Sequence, residues 1–564
     1  MRSLRDRRWP VPPPWRKFRT LVLENRRFSM SNLTSRLADL YEDRPLCLLD
    51  RPLRYSFFEG DEISYRTFDR FVNRVAGGLR RLGVKRGDRV GLLTLNRVEM
   101  AFGLFAVQKI GGIAVPLMPM LKAEEVRYLT EDAGCRVLMT DEATFDAVIG
   151  DRDRVRSVRE WILVCDGQPP PGFHGLNQLI ADESEELEPA DLSPDDIVLV
   201  RYSAGTTGHP KGAMLSNAAL LFAVRRYMMI SGLAPTNRRL LSLLAMPLAH
   251  TSGYQAILVH MALALPLLLL RQFDPEWILD LIEGQRVSVF CGVPATYKML
   301  LDAGARERDL SSIQVWGGGA DVFSQELVNT FRHIAERRIL GVKIRPLFVV
   351  GYGMAETAGQ VSVTFPAPVG DGCLGWVLPG LDWKVVDEAA RESKRGDVGE
   401  LMVKGPLLMS GYWGSPDLTT KVLRDGWLRT GDLVQRSRLG LLHIASRDKD
   451  VIKSGGYSVY PAEAERELAA HPQIHEAVVV GLPHEIKGEV PVAAVVPKAG
   501  EKIDAEEILV WARQRIGSFK CPEQIVVVDS VPLSPLLKPK RIAVREMILS
   551  RVDRDRARAQ AVGG

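Results

Sequence analysis

Short apolar runs alternate with stretches of helical length through the first two thirds of the chain. Arg89-Val-Gly-Leu-Leu-Thr-Leu95 reads as a strand, Val98 to Lys109 as a helix, and Ile113-Ala-Val-Pro-Leu117 as a second strand. Such a unit predicts two parallel strands in one sheet, because the intervening helix must carry the chain back to the starting edge. The alternation recurs at Ile197 to Val200, the helix after Ser216, Leu240 to Met246, Val287 to Cys291 and Ile344 to Val350. From about Asp371 to Ile444 the texture changes to short strands with Gly-rich turns. After Arg447 a compact α+β pattern follows: helix Ala462 to Ala470, strands Ala477 to Val480 and Val490 to Val496, helix Asp504 to Arg515, strand Gln524 to Val528.

The expected fold is therefore α/β, a large N-terminal domain of layered sheets and helices with a β-rich subdomain, plus a small α+β C-terminal domain. The expected boundaries are a basic leader over 1–30, the large domain over 31–446, the small one over 447–550 and a charged tail over 551–564. At 564 residues the chain exceeds what one core organises. The apolar stretch Ala256 to Leu270 is broken by His260 and Pro266, and reads as a buried helix running into a strand, not a membrane span.

Composition adds exclusions. A net charge of +5 is small for this length and gives no reason to expect a nucleic-acid partner. The leader is uneven, with nine Arg or Lys in the first thirty residues against Asp6 and Glu24. No apolar run follows, so it is not a signal peptide. A disordered, solvated segment is the expectation, with peripheral contact to a membrane surface as the alternative; Met30 is a second candidate start. Six scattered cysteines form no C-x-x-C pair, which fits a cytoplasmic protein without a cysteine metal site. The acidic run Ala181 to Glu188 reads as a surface loop. Oligomeric state is left open, a dimer included.

The strongest chemical signal is Tyr202-Ser-Ala-Gly-Thr-Thr-Gly-His-Pro-Lys-Gly212, directly after a strand. Small residues let backbone N–H groups approach phosphate oxygens, Thr206 and Thr207 add hydroxyls, and Lys211 adds charge. A Walker loop would end in Gly-Lys-[Ser/Thr], and this run does not.

At these residues the chain resembles the adenylate-forming superfamily, which includes acyl-CoA synthetases. The resemblance continues in order from about Ile63 to Arg541 through several further motifs. These are Met246-Pro-Leu-Ala-His250, Trp316-Gly-Gly-Gly-Ala320, Gly351-Tyr-Gly-Met-Ala-Glu-Thr357, Leu428-Arg-Thr-Gly-Asp432, Ser446-Arg-Asp-Lys449 and Val531-Pro-Leu-Ser-Pro-Leu-Leu-Lys538. It implies ATP, Mg²⁺ and coenzyme A as reactants, with a small carboxylic acid as partner. Ser203, Gly205, Thr206, Thr207, Gly208 and Lys211 would hold the phosphates, and Gly318, Gly319, Ala320, Tyr352 and Gly353 would flank adenine. Asp432 and Arg447 would hold ribose, and Glu356 with Ser203 the metal. His250, Thr251, Gly253, Val350 and Gly351 would line the acyl pocket. Lys449 would be the hinge of a mobile C-terminal domain, and Lys453, Gly455 and Gly456 would face coenzyme A. Lys538, Lys211, Thr207 and Glu356 are the catalytic candidates.

The implied chemistry is coherent. Joining a carboxylate to the α-phosphate of ATP creates a mixed anhydride with AMP as leaving group, and a thiol then attacks it. Like charges meet in the first step, so positive charge and positioning carry the catalysis. Four positions depart from the family pattern: Ser203 for Thr, Ala204 for Ser, Ala355 for Thr and Leu537 for Gly. A degenerate nucleotide- or acyl-binding protein is accordingly the alternative from another class. The motifs around His250 and Phe348-Val-Val-Gly351 contain no lysine or arginine suited to a dicarboxylate. A medium- or long-chain fatty acid is the first expectation and an aryl acid the second. The acceptor is expected to be free coenzyme A, with a separate carrier protein as the rival.

Overall fold

The computed structural model describes residues 28–203, 210–231, 240–365, 372–447, 450–454, 457–484, 487–516, 520–534 and 538–562. Strands Arg89–Leu93 and Ile113–Pro116 pair in parallel around helix Val98–Lys109, as the pattern predicts. They lie in an eight-stranded sheet whose order, from one edge, is Gly411–Tyr412, Lys211–Ser216, Ile197–Ser203, Ile113–Pro116, Arg89–Leu93, Val137–Asp141, Glu160–Val164, His174–Gly175. All twelve residues of the helix are buried. The cost of burying Lys109 is offset by Asp69 Oδ1 and Ser35 Oγ, each 2.8 Å from its ammonium.

A second sheet has fourteen strands. Its parallel part runs through Ser242–Leu244, Val289–Gly292, Val315–Gly319 and Leu347–Tyr352 in register. Most residues of these strands are buried or half-buried, so they read as short apolar runs. Past Tyr352 the sheet turns antiparallel, through Ser362–Val363 and Cys373–Val377 into the expected β-rich region. The stretch Ala256 to Leu270 forms the end of helix Thr251–Leu263 and strand Leu267–Leu269, matching the expected helix-into-strand. Among the described residues no helix is long and apolar enough to cross a membrane.

The C-terminal sheet pairs Ile474–His484 with Gly488–Pro497, and Gln524–Val527 adds in parallel. Period-2 alternation sorts its two faces. Val479, Ala493 and Val495 pack on helices Pro461–Ala469 and Ala505–Arg515, while Val478, Val480 and Val492 pack on Val544 and Ile548. Val544 and Ile548 belong to helix Arg541–Val562, which continues through most of the segment set apart as a charged tail. No Gly or Pro interrupts Arg541 to Val562, and its Ala, Arg, Glu, Met and Leu residues favour a helix.

The other correction is at the leader. Phe28 and Met30 are buried, and the Met30 N–H donates to Asn217 Oδ1 at 2.9 Å. The three residues 28–30 thus belong to the large domain; the rest of the expected leader lies outside the described residues. Phe28→Ala is expected to destabilise that domain by about 3–5 kcal/mol. Its denaturant midpoint should fall, and an unchanged midpoint would return Phe28 to the leader. The acidic run is on the surface as expected, yet it is paired: Glu183 with Arg81, and Glu185 with Arg70 and Arg74 of helix Tyr65–Arg81.

Candidate active site

The carboxyl ends of Ile197–Ser203, Val315–Gly319 and Leu347–Tyr352 carry three of the sequence motifs, in the region where open α/β sheets bind ligands. A Cβ at Gly319 would stand 2.7 Å from the Gly351 carbonyl, so the two motifs can lie this close only without a side chain there. Ala320 follows with φ of 66°, a conformation that non-glycine residues rarely adopt and that clusters at functional sites.

Tyr352, Asp432 and Arg447 come together from three strands. The Tyr352 phenol donates to Asp432 Oδ2 at 2.6 Å, and Arg447 Nε lies 3.4 Å from Asp432 Oδ1. Antiparallel pairing of Trp427–Arg436 with Leu442–Arg447 sets Asp432 directly opposite Arg447. Burial, with the Asp432 charge beside it, pushes the Tyr352 phenol well above its ordinary pKa, so it remains a donor.

Glu356 is held from the other side. Tyr412 donates its phenol to Glu356 Oε1 at 2.7 Å, and the Lys211 ammonium sits over the Tyr412 ring at 5.6 Å from its centroid. Tyr412 reaches this position because Gly411–Tyr412 pairs as an edge strand with Lys211–Ser216. Gly205, Thr206, Thr207 and Gly208 lie outside the described residues, as does the Ser203 side chain.

His250 is the N-cap of helix Thr251–Leu263; its Nδ1 accepts from the Ser252 N–H at 3.2 Å. Thr251 and Gly253 occupy the first turn, and a Cβ at Gly253 would collide with the Pro247 carbonyl at 2.0 Å. Burial, then the nearby charges of Lys538 and Arg201, push the His250 imidazole down to about 3. It is neutral at physiological pH.

The charge of Lys538, on the small domain, bears on His250 of the large one, which couples the two domains electrostatically. Lys538 is deeply desolvated, which lowers its pKa; Asp321 and Asp432 oppose that shift and Arg447 adds to it. The charges of Asp432 and Arg447, which hold Tyr352, thus also act on Lys538. Lys449, Gly455 and Gly456 lie outside the described residues, as does the side chain of Lys453, whose backbone belongs to strand Ile452–Ser454. Val350 is buried and Gly351 half-buried at the end of their strand.

Three residues of this neighbourhood escaped the sequence reading. Tyr412 carried no motif signal. Asp321 directly follows the Trp316–Ala320 loop and is the first counter-charge to Lys538. Arg201 is a buried cation on strand Ile197–Ser203 whose charge bears on His250, and it lies outside the two motifs read for the acyl pocket. The visible signal was one charged residue interrupting Ile197-Val-Leu-Val-Arg201.

Comparison with known proteins agrees with this geometry. The sequence profile of the AMP-binding enzyme matches residues 44–413, and that of the AMP-binding enzyme C-terminal domain matches residues 463–538. The chain is 32% identical to a feruloyl-CoA synthase of an Amycolatopsis species over 84% of its own length and 91% of the relative's. It is 32% identical to the medium/long-chain-fatty-acid–CoA ligase FadD8 of Mycobacterium tuberculosis, covering 82% of each chain. Its fold superposes on ATP-bound MatB from Rhodopseudomonas palustris with a TM-score of 0.79 at 30% identity, over 92% of this chain and 98% of that one. With both profiles matched in order, one over more than half of the chain, and relatives of this identity and coverage, the chain belongs to the AMP-binding enzyme family and is an AMP-forming acid–thiol ligase.

Proposed function

We propose that the enzyme makes an acyl-CoA in two steps at one site, with the C-terminal domain rearranging between them. In the first, a carboxylate oxygen of the acid bonds to the α-phosphorus of ATP and pyrophosphate leaves. In the second, the coenzyme A sulfur, having given up its proton, bonds to the acyl carbon and AMP leaves. The observation that carries the reading is Lys538 of the small domain, desolvated and within the electrostatic reach of His250, Asp432 and Asp321 of the large one. A cation there opposes the charge that develops when carboxylate meets phosphate. Tyr352, Asp432 and Arg447 would hold the nucleoside, and neutral His250 would border the acid without competing for its charge.

The donor set also fits Mg²⁺. Among the described residues no group of three or more His, Cys, Asp or Glu could cage an ion. Magnesium at nucleotide sites needs less, one or two carboxylates plus substrate phosphates. Tyr412 engages Glu356 Oε1, and Oε2 would take the cation, which would neutralise phosphate charge when bound. Glu356→Gln should raise the magnesium concentration for half-maximal acyl-AMP formation by about tenfold. Superimposable magnesium curves would remove Glu356 from that role.

For the acid, two bodies suit the apolar residues around His250: a medium- or long-chain fatty acid, or an aryl acid. The relatives named above act on one of each. A panel of acids assayed for AMP release with and without coenzyme A tests the proposal. A thioester product supports it; acyl-AMP released only to a carrier protein would replace coenzyme A as the acceptor. Silence with every acid would favour a non-catalytic binder.

A further inference from the structure

Arg201 is 2% exposed, and none of its three guanidinium nitrogens has a hydrogen-bond partner among the described residues. Its guanidinium lies 5.5 Å from the centre of the Tyr254 ring. Burial pushes it down to about 10, and Tyr254, Tyr227 and Glu356 are the groups that oppose the shift. The two phenols are already committed: Tyr254 accepts from Gln108 Nε2 at 3.0 Å, and Tyr227 donates to Gln360 Oε1. Glu356 is engaged by Tyr412. A buried charge left without hydrogen bonds is among the most costly arrangements in a protein, and a bound ligand is one way to complete it.

Arg201 lies near the carboxyl end of strand Ile197–Ser203, and the Tyr254 ring beside it belongs to the first turn of the helix that His250 caps, so a ligand completing Arg201 would lie between that strand end and that helix N-terminus. The reacting carboxylate is a poor occupant. It loses its charge on bonding to phosphorus, so a guanidinium clamped on it would hold the ground state more tightly than the transition state. A group that keeps its charge through both steps carries no such penalty. We propose that Arg201 is a specificity-determining residue that binds a second, non-reacting carboxylate, and that the enzyme's substrate is a dicarboxylic acid. This rests on the ligase reading above and narrows its substrate. A planar guanidinium with its donors unspent suits a bidentate carboxylate, whereas an unfunctionalised alkyl chain would leave it desolvated and unpaired.

The test compares a graded series of aliphatic and aromatic dicarboxylic acids with their monomethyl esters, in acid-dependent pyrophosphate release. The wild type is expected to prefer at least one diacid over its monoester by about 100-fold in kcat/KM, the size expected when a buried charge pair loses one partner. Arg201→Gln should collapse that ratio towards one through KM for the diacid, and Arg201→Lys should restore part of it. Arg201→Met, which removes the buried charge outright, serves if the glutamine variant fails to fold. A wild type that prefers monoesters or simple fatty acids overturns the subsite while leaving the ligase reading standing. Equal loss on all acids in the variants, or a rise in KM for ATP alone, overturns it too, the latter by assigning Arg201 to the nucleotide. No turnover of any acid overturns the ligase reading and the subsite with it.

Discussion

Lys538→Ala is expected to slow acyl-adenylate formation by about 10²–10³-fold, the usual loss when a group aimed at developing charge is removed from a water-poor site. Supplied with preformed acyl-AMP and coenzyme A, the same variant should form thioester within a few-fold of the wild-type rate. That asymmetry follows if the small domain carries Lys538 away before the thiol attacks. Lys449→Pro should show the reverse, adenylating but stalling in transfer, because proline fixes φ where the hinge must turn. The pH dependence gives a separate check. Desolvation lowers the Lys538 pKa, and only the protonated form supplies the charge. Acyl-AMP formation at low substrate should therefore fall as pH rises, beginning below the ordinary lysine value of about 10.4. Lys538→Arg, still charged there, should lose that alkaline limb. Single-turnover assays of each half-reaction decide the matter; equal losses in both halves would make the lysine structural.

What the sequence made legible divides along physical lines. Helix Val98–Lys109 and its flanking strands could be read because burial on all sides writes itself as apolar composition. The strand expected from Ile344 begins at Leu347, since Val342–Ile344 turns back as a hairpin with Arg337–Ile339. Periodicity cannot separate two short adjoining strands. The motif residues Tyr352, Asp432 and Arg447 were legible as a set, but their contact was not. It depends on the register between Trp427–Arg436 and Leu442–Arg447, which no local pattern states. Arg201, Asp321 and Tyr412 were missed for a common reason. What each faces is distant in sequence, as Glu356 is for Tyr412, and although Arg201 shows as one charge within an apolar run, no local pattern states its surroundings. Phe28 was assigned to the leader because basic residues surround it in sequence, whereas in the fold its neighbours are those of the core.

The contact of Asp432 with Tyr352 and Arg447 sets up the second large effect. Asp432 is 5% exposed and gathers a phenol and a guanidinium, so it holds its neighbours; under the proposal above it has a second task, holding the nucleoside. Asp432→Asn keeps the shape and an acceptor for Tyr352 but removes the charge facing Arg447. Asp432→Ala removes both and leaves the Tyr352 hydroxyl desolvated, at a stability cost of about 1–3 kcal/mol. If Asp432 also binds the ribose hydroxyls, each lost charged hydrogen bond is worth about 1.5–3 kcal/mol. KM for ATP should then rise by at least about 10-fold in Asp432→Asn and about 100-fold in Asp432→Ala. Saturating ATP should recover much of kcat, because ribose contacts serve ground state and transition state alike. Tyr352→Phe separates the two tasks, since it cuts the phenol–carboxylate bond and leaves Asp432 in place. Its stability loss should approach that of Asp432→Ala while its KM for ATP moves far less. If Tyr352→Phe raises KM for ATP as strongly as Asp432→Ala does, Asp432 acts by positioning the tyrosine and does not itself bind the ribose.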